Sequence, residues 1–165
     1  MTIQPDSHLK VGMKAPDFCL PGSPTCDFRL SQEVKNGPVV VHFYVSDFGI
    51  MCNIVMKTFV KYKDEFDDLG VQFVGISVDD PPLHGVWKGK LKIPFKLLSD
   101  EEGKVAKEYG VLMEDELYFK LANRAVFLVD KEMEIRFRWV AHDPAYEPNY
   151  EEVMEAVRDL VKGHP

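Results

Sequence analysis

Cysteine is scarce in this chain of 165 residues, with only Cys19, Cys26 and Cys52. Three are too few for the disulfide framework of a small secreted domain, and no CxxC pair or Cys/His spacing offers a zinc site. Long apolar runs are also missing. The longest, "PVVVHFYV", is far short of the roughly 20 residues that span a bilayer. The N-terminal "MTIQPDSHLKVGMKAPDF" contains nothing like the apolar centre of a signal peptide. The expectation is a cytoplasmic protein without a membrane partner. Nor is there an excess of positive charge: 20 Lys and Arg against 27 Asp and Glu leave a net charge of −7, which speaks against a nucleic-acid partner. The short cluster Lys88, Lys90, Lys92 reads as a solvated face. No Gly-rich phosphate loop, HExxH or GxSxG occurs, so no metal or other cofactor is expected.

What is present suits one globular domain over residues 1–165, with a core that needs no metal or disulfide support. Turn signals fill the first 38 residues, including Pro5, Pro16, Pro21-Gly22, Pro24 and Gly37-Pro38; they predict short extended pieces around a hairpin, followed by a short helix from Ser31. "VVVHFYV" (39–45) and "VQFVGISV" (71–78) read as strands buried on both faces. Between them Cys52, Val55, Met56, Phe59, Tyr62, Phe66 and Leu69 recur at helical intervals, which predicts one helix over 52–69 closed by Gly70. Its lysines come early and its acids late, against the helix dipole, so packing would have to hold it. The unit is a right-handed strand, helix, strand with parallel strands.

Prolines and glycines restrict the next stretch to a short helix near His84 to Lys90. Ser99 or Asp100 can cap a helix over 101–109, stopped by Gly110. After a polar connection, 124–130 and 134–141 form a hairpin, and 149–163 a final amphipathic helix. The order implies an α/β fold of three layers, helices on both sides of a mixed sheet.

"VGMKAPDFCL", "HFYVSDFGIMC", "VGISVDD", "IPFKLLSDEEGKVAKEYGV" and "NRAVFLVDKEMEIRFRWV" resemble, in order and spacing, the peroxiredoxins of the alkyl-hydroperoxide-reductase/thiol-specific-antioxidant group, over about residues 10–160. The resemblance implies a thioredoxin-like fold with an N-terminal β extension, and reduction of hydrogen peroxide or alkyl hydroperoxides by a cysteine that becomes a sulfenic acid. Laid on the family pattern PxxxTxxC, the cysteine falls on Cys52, the hydroxyl position on Gly49 and the proline on Val45. The glutamate common three residues after the cysteine is Val55, and the arginine that precedes a late strand is Arg124. A thioredoxin-type disulfide reductase is disfavoured, because Val55 also occupies the position that would complete CxxC.

The chemistry asked of these residues is definite. A thiol near pKa 8.5 is only a few per cent ionised at neutral pH, so a peroxide-reactive site is expected to lower it. The first turn of a helix offers free N–H groups and the positive dipole end, and Arg124, which the resemblance implies lies beside the sulfur, would add a permanent charge that also binds the departing peroxide oxygen. The hydroxyl missing at Gly49 removes a hydrogen bond to thiolate and peroxide; Ser46 and a backbone N–H near Met51 are the candidates to compensate. No cysteine follows Cys52, which leaves an external thiol reductant such as a thioredoxin-like protein, or resolution by Cys26, the turn-region cysteine. Cys19 reads as core. The alternative is a peroxiredoxin-fold binding or redox-sensing module that has lost peroxidase power, motivated by Val45, Gly49 and Val55. His42 suits a structural bond to a neighbouring backbone group. Asp79 and Asp80 suit either a ligand edge or the turn before Pro81. Trp87 and Trp139 suit packing. Residues 141–148 resemble a family segment that joins dimer contacts, so a homodimer is a candidate assembly, and a plain surface loop is the other reading.

Overall fold

The computed structural model describes residues 5–21, 26–115, 119–143 and 146–163. Two short strands, β1 (Cys19–Leu20) and β2 (Phe28–Arg29), pair antiparallel, followed by α1 (Leu30–Glu33) and a 3-10 turn over Val34–Asn36. The central strand β3 (Val39–Phe43) leads into α2 (Ile50–Val60) and α3 (Lys63–Leu69), and β4 (Gln72–Ser77) returns parallel to it. Then come α4 (Pro81–Leu91), β5 (Lys96–Ser99), α5 (Lys104–Glu108), the hairpin β6 (Leu112–Asp115) and β7 (Phe119–Ala122), the hairpin β8 (Ala125–Val129) and β9 (Ile135–Val140), and α6 (Tyr150–Val161).

The main sheet has the order β5-β4-β3-β8-β9, parallel on the β4 and β5 side of β3 and antiparallel on the β8 side. Every residue of β3 is buried, because helices or loops cover both faces. The period of two along the strand sorts its side chains into two cores. Val39, Val41 and Phe43 join Phe18, Phe28, Tyr109 and Phe127 on one face. Val40 and the adjoining Tyr44 join Cys52, Met56, Phe59, Phe73, Trp87 and Met154 on the other. The expected α/β/α layering around a mixed sheet is the observed fold.

Four local expectations change. The helix expected over 52–69 is two helices, because the N–H groups of Lys61 and Tyr62 bond three residues back, to Thr58 and Phe59, tightening the turn at the junction. That break eases part of the charge conflict, although Lys63 still opens α3 and Asp67 and Asp68 still lie in its last turn. Lys57 now lies in the last turn of α2, and Asp64 and Glu65 in the first turn of α3, each favourable to its own dipole. Gly70 closes α3 in the left-handed region at φ 70°, as read from the sequence. Next, α4 starts earlier than His84. Prolines at its first two positions have no N–H to waste, and Asp80 caps it by accepting from the Leu83 N–H at 2.9 Å. The helix expected over 101–109 is shortened to α5, since Gly103 turns the chain at φ 72° and the Asp100 carboxylate accepts from the Val105 and Ala106 N–H groups. Finally, β5 and the β6–β7 hairpin replace stretches read as irregular.

Candidate active site

Strand β3 ends under a six-residue loop, 44–49, that delivers Cys52 to the third position of α2. Cys52 is 3% exposed and packs in the core shared with Tyr44, Met56 and Trp87. Gly49 is the N-cap of α2, with extended backbone and no side-chain cap. A Cβ placed on Gly49 would sit 3.5 Å from the Cys52 Sγ and 3.3 Å from the Ser46 carbonyl oxygen and Oγ. The position where the family pattern has a hydroxyl therefore does face the sulfur, and in this chain it is empty of side chain.

The loop supplies part of what is missing through its backbone. Hydrogen bonds from the backbone of Ser46 and Val45 reach the Cys52 sulfur and pull its pKa down, as does the charge of Arg124. Burial acts in the opposite direction and is larger, with Asp79 adding to it, so the thiol lies above its ordinary value in this closed arrangement. The expectation of a lowered thiol is thus reversed here, because burial of the sulfur outweighs the dipole, backbone and arginine contributions. Ser46 contributes by its backbone. Met51 is half-buried and packs on the core beside Cys52.

Arg124 begins the chain's return into β8 and is itself buried. Its Nη1 donates to the Tyr146 carbonyl at 2.7 Å and its Nη2 to the Asp143 carbonyl at 3.0 Å. The segment after β9, read as a dimer contact or surface loop, is in this chain the clamp that fixes the guanidinium. Residues 144–145 lie outside the described residues.

A second buried network lies beneath the loop. Tyr44 Oη donates to Asp47 Oδ1 at 2.6 Å, and the other oxygen, Asp47 Oδ2, is 2.7 Å from His84 Nδ1, whose Nε2 faces the Leu98 carbonyl at 3.1 Å. The Asp47 N–H and the Ser77 hydroxyl both donate to Asp79 Oδ2, at 2.7 and 2.8 Å. Burial raises the Asp79 pKa. Asp79 is therefore a loop anchor and Asp80 a helix cap. Asp47, Asp79 and His84 are the one His and carboxylate group among the described residues whose atoms could share a cation; here they are engaged with one another, Tyr44 and Ser77. Sequence reading missed Tyr44, Asp47 and His84, since a tyrosine, an aspartate and a histidine separated by up to 40 residues carry no local pattern.

His42 Nδ1 bonds the Ala125 carbonyl at 3.2 Å, and burial lowers its pKa to about 4, consistent with a neutral structural histidine. Trp87 is buried and its Nε1 donates to Asn53 Oδ1 at 2.6 Å, tying α4 to α2. The two N-terminal cysteines are joined to each other: Cys19 and Cys26 form a disulfide, with Cα atoms 5.6 Å apart, and Cys52 is free. Cys26, the candidate resolving thiol, is thus paired with Cys19 in this structure. The strands adjoining Cys26 bury Leu20 and Phe28 in the core on the face of the sheet opposite to that of Cys52.

Residues 11–138 match the AhpC/TSA family. Chloroplastic peroxiredoxin Q of Populus jackii is 36% identical over 125 residues, 76% of this chain and 57% of that protein. The putative peroxiredoxin bcp of Coxiella burnetii is 31% identical over 134 residues, covering 79% of this chain and 88% of that one. The crystal structure of peroxidoxin BcpB from Mycobacterium tuberculosis superposes with a TM-score of 0.83 at 26% identity, covering 93% of this chain and 99% of the other. This chain spans a little over half the length, 54–57%, of several of the curated relatives it matches.

Proposed function

The chain belongs to the AhpC/TSA family, and from that premise we propose that it is a thiol-dependent peroxidase with Cys52 as its peroxide-reducing residue. The observation that carries this reading is the placement of one free cysteine in the first turn of α2, facing backbone donors of Val45 and Ser46 within the field of the clamped Arg124. Preorganised donors at a developing negative charge are the general device for such chemistry.

The Cys52 thiolate attacks one oxygen of the hydroperoxide, the O–O bond breaks, and the alcohol or water leaves after taking up a proton. Sulfur is oxidised to a sulfenic acid. Arg124 balances charge on the attacking sulfur and on the departing oxygen. Reduction then falls to an external thiol of the thioredoxin-like kind, since Cys19 and Cys26 adjoin strands packed on the opposite face of the sheet from Cys52. Hydrogen peroxide and alkyl hydroperoxides are the proposed substrates; among the relatives is an alkyl hydroperoxide reductase C of Helicobacter pylori, 29% identical over 159 residues. The cytoplasm is the proposed compartment. A homodimer is the proposed assembly, supported by apolar side chains left exposed on neighbouring elements, Phe48, Ile50 and Ile54 by α2, and Leu83 and Val86 on α4.

The test is a stopped-flow reaction of reduced protein with stoichiometric peroxide, with mass spectrometry of Cys52. The expected result is a sulfenic acid at Cys52 formed faster than in a free thiol at the same pH. Oxidation no faster than a free thiol overturns the reading.

A further inference from the structure

Cys19 and Cys26 lie outside the peroxidase site, and nothing in that chemistry uses them. Their disulfide joins residues seven apart at the start of β1 and just before β2. The hairpin does not depend on this bond for its place. Leu20 and Phe28 are buried in the core, the Leu30 N–H bonds the Phe18 carbonyl, the Asp27 N–H bonds the Leu20 carbonyl, and the Ser99 N–H of β5 bonds the Pro21 carbonyl. Lys96 adds an exposed ion pair with Asp27. The covalent link is therefore surplus to the anchoring, and it is accessible: Cys26 is exposed, while Cys19 is half-buried.

We propose that Cys19 and Cys26 are a second redox couple, separate from Cys52, that opens and closes by exchange with dithiols of the thioredoxin class. Exposed disulfides exchange more readily than buried ones, and attack goes to the sulfur that the incoming thiolate can reach. In the opening step a reductant thiolate attacks Cys26 Sγ, the Cys19–Cys26 bond breaks, and the electron pair leaves on Cys19, which takes up a proton. The second reductant thiol then displaces Cys26 as a thiolate, and the reductant departs as its own disulfide. Closing is the reverse, with a disulfide of that class as the oxidant. Two electrons pass in each direction and Cys52 takes no part, because its sulfur lies in the core of the opposite face.

The experiment equilibrates wild-type protein in a series of dithiol/disulfide buffers, quenches with a maleimide in denaturant, and counts caps by peptide mass spectrometry. The expected result is one cap, on Cys52, in the oxidising buffers and three in the reducing ones, joined by a single two-electron step. Opening by a thioredoxin-class dithiol is expected to be faster, by about tenfold or more, than by a monothiol at equal concentration. A reductant variant that keeps only its attacking cysteine should be trapped on Cys26. One cap at every poise, with the fold intact, would make the bond a permanent staple and overturn the proposal. Three caps at every poise, a Cys26–Cys52 pair, or an adduct on Cys19 overturns it too. None of these counts depends on whether Cys52 reduces peroxide, so this proposal and the peroxidase reading fail separately.

Discussion

Replacing Gly49 by threonine or serine should raise the reactivity of Cys52. The backbone at Gly49, φ −62° and ψ 142°, is open to any L-residue, and the new Cβ would sit 3.5 Å from the sulfur. A hydroxyl one bond further on can reach Sγ. A hydrogen bond to a charged group is worth about 1.5–3 kcal/mol, which at 1.36 kcal/mol per unit lowers the thiol pKa by about one to two units. At neutral pH that multiplies the thiolate fraction about ten- to a hundredfold. Ser46 must give a few tenths of an ångström, because its carbonyl and hydroxyl oxygens would stand 3.3 Å from the Cβ. The loss of a flexible glycine offsets that by about 0.4–1 kcal/mol, so stability should change little. The assay is stopped-flow oxidation by peroxide alongside a thiolate titration by ultraviolet absorbance, with Gly49→Ala as the control for the added carbon. An oxidation rate in Gly49→Thr and Gly49→Ser that stays within a factor of two of Gly49→Ala would refute the reasoning.

Arg124→Lys leaves a charge but not the planar fork that spans the Tyr146 and Asp143 carbonyls; peroxide oxidation of Cys52 should slow by about tenfold or more, read as kcat/KM. The raised Cys52 thiol predicts alkylation that climbs about tenfold per pH unit from 7 toward 9, and a plateau below pH 7 would contradict it. That shift also favours the folded state, fully below the ordinary thiol range and no longer once pH has risen through the folded value. His42, held neutral down to about pH 4, contributes stability above its ordinary pKa of 6.5 that is lost as pH falls to about 4, about 3 kcal/mol in all; urea melts of His42→Phe should lack that acid loss. Asp47→Ala removes the partner of Tyr44 and His84 inside the core and should cost about 3–5 kcal/mol in urea denaturation.

Long elements with one strong period were legible, and short ones were not. β3 and β4 announce themselves as apolar β-branched runs, and α6 as a regular stripe capped by Asn149, whose side chain accepts from the Glu152 N–H at 3.2 Å. β5 has four residues, Lys96–Ser99, in which only three are buried and no alternation shows. The register that makes it a strand comes from β4, through Val74 to Ser77, a partner some twenty residues away. The break between α2 and α3 left a trace that was misread. Lysines followed by acids looked like one helix fighting its dipole, yet two dipoles in series suit Lys57, Asp64 and Glu65, leaving only Lys63, Asp67 and Asp68 opposed. The same composition therefore has a second solution, and packing of Phe59 and Phe66 against Phe73 is compatible with it.

At the site, the positions of Cys52, Gly49 and Arg124 followed from the motif, but the balance of forces on the sulfur did not. A first-turn cysteine beside an arginine suggests a lowered thiol, and only burial in three dimensions shows the opposing contribution. The loop before Cys52 is itself held by residues with no local signature. Tyr44, Asp47, Asp79 and His84 pin the loop down from below, and their side-chain bonds converge on Asp47 and Asp79. The loop thus fixes the Val45 and Ser46 donors without the motif's proline, so preorganisation survives the loss of that residue while the hydroxyl donor does not. Two defects of the motif are therefore unequal. Val45 lies in a loop already tied down by a buried network, whereas Gly49 places no side chain beside the sulfur. A Val45→Pro variant should consequently gain much less peroxide reactivity than Gly49→Thr, measured by the same stopped-flow rates; equal gains would mean that loop mobility, and not the missing donor, limits Cys52.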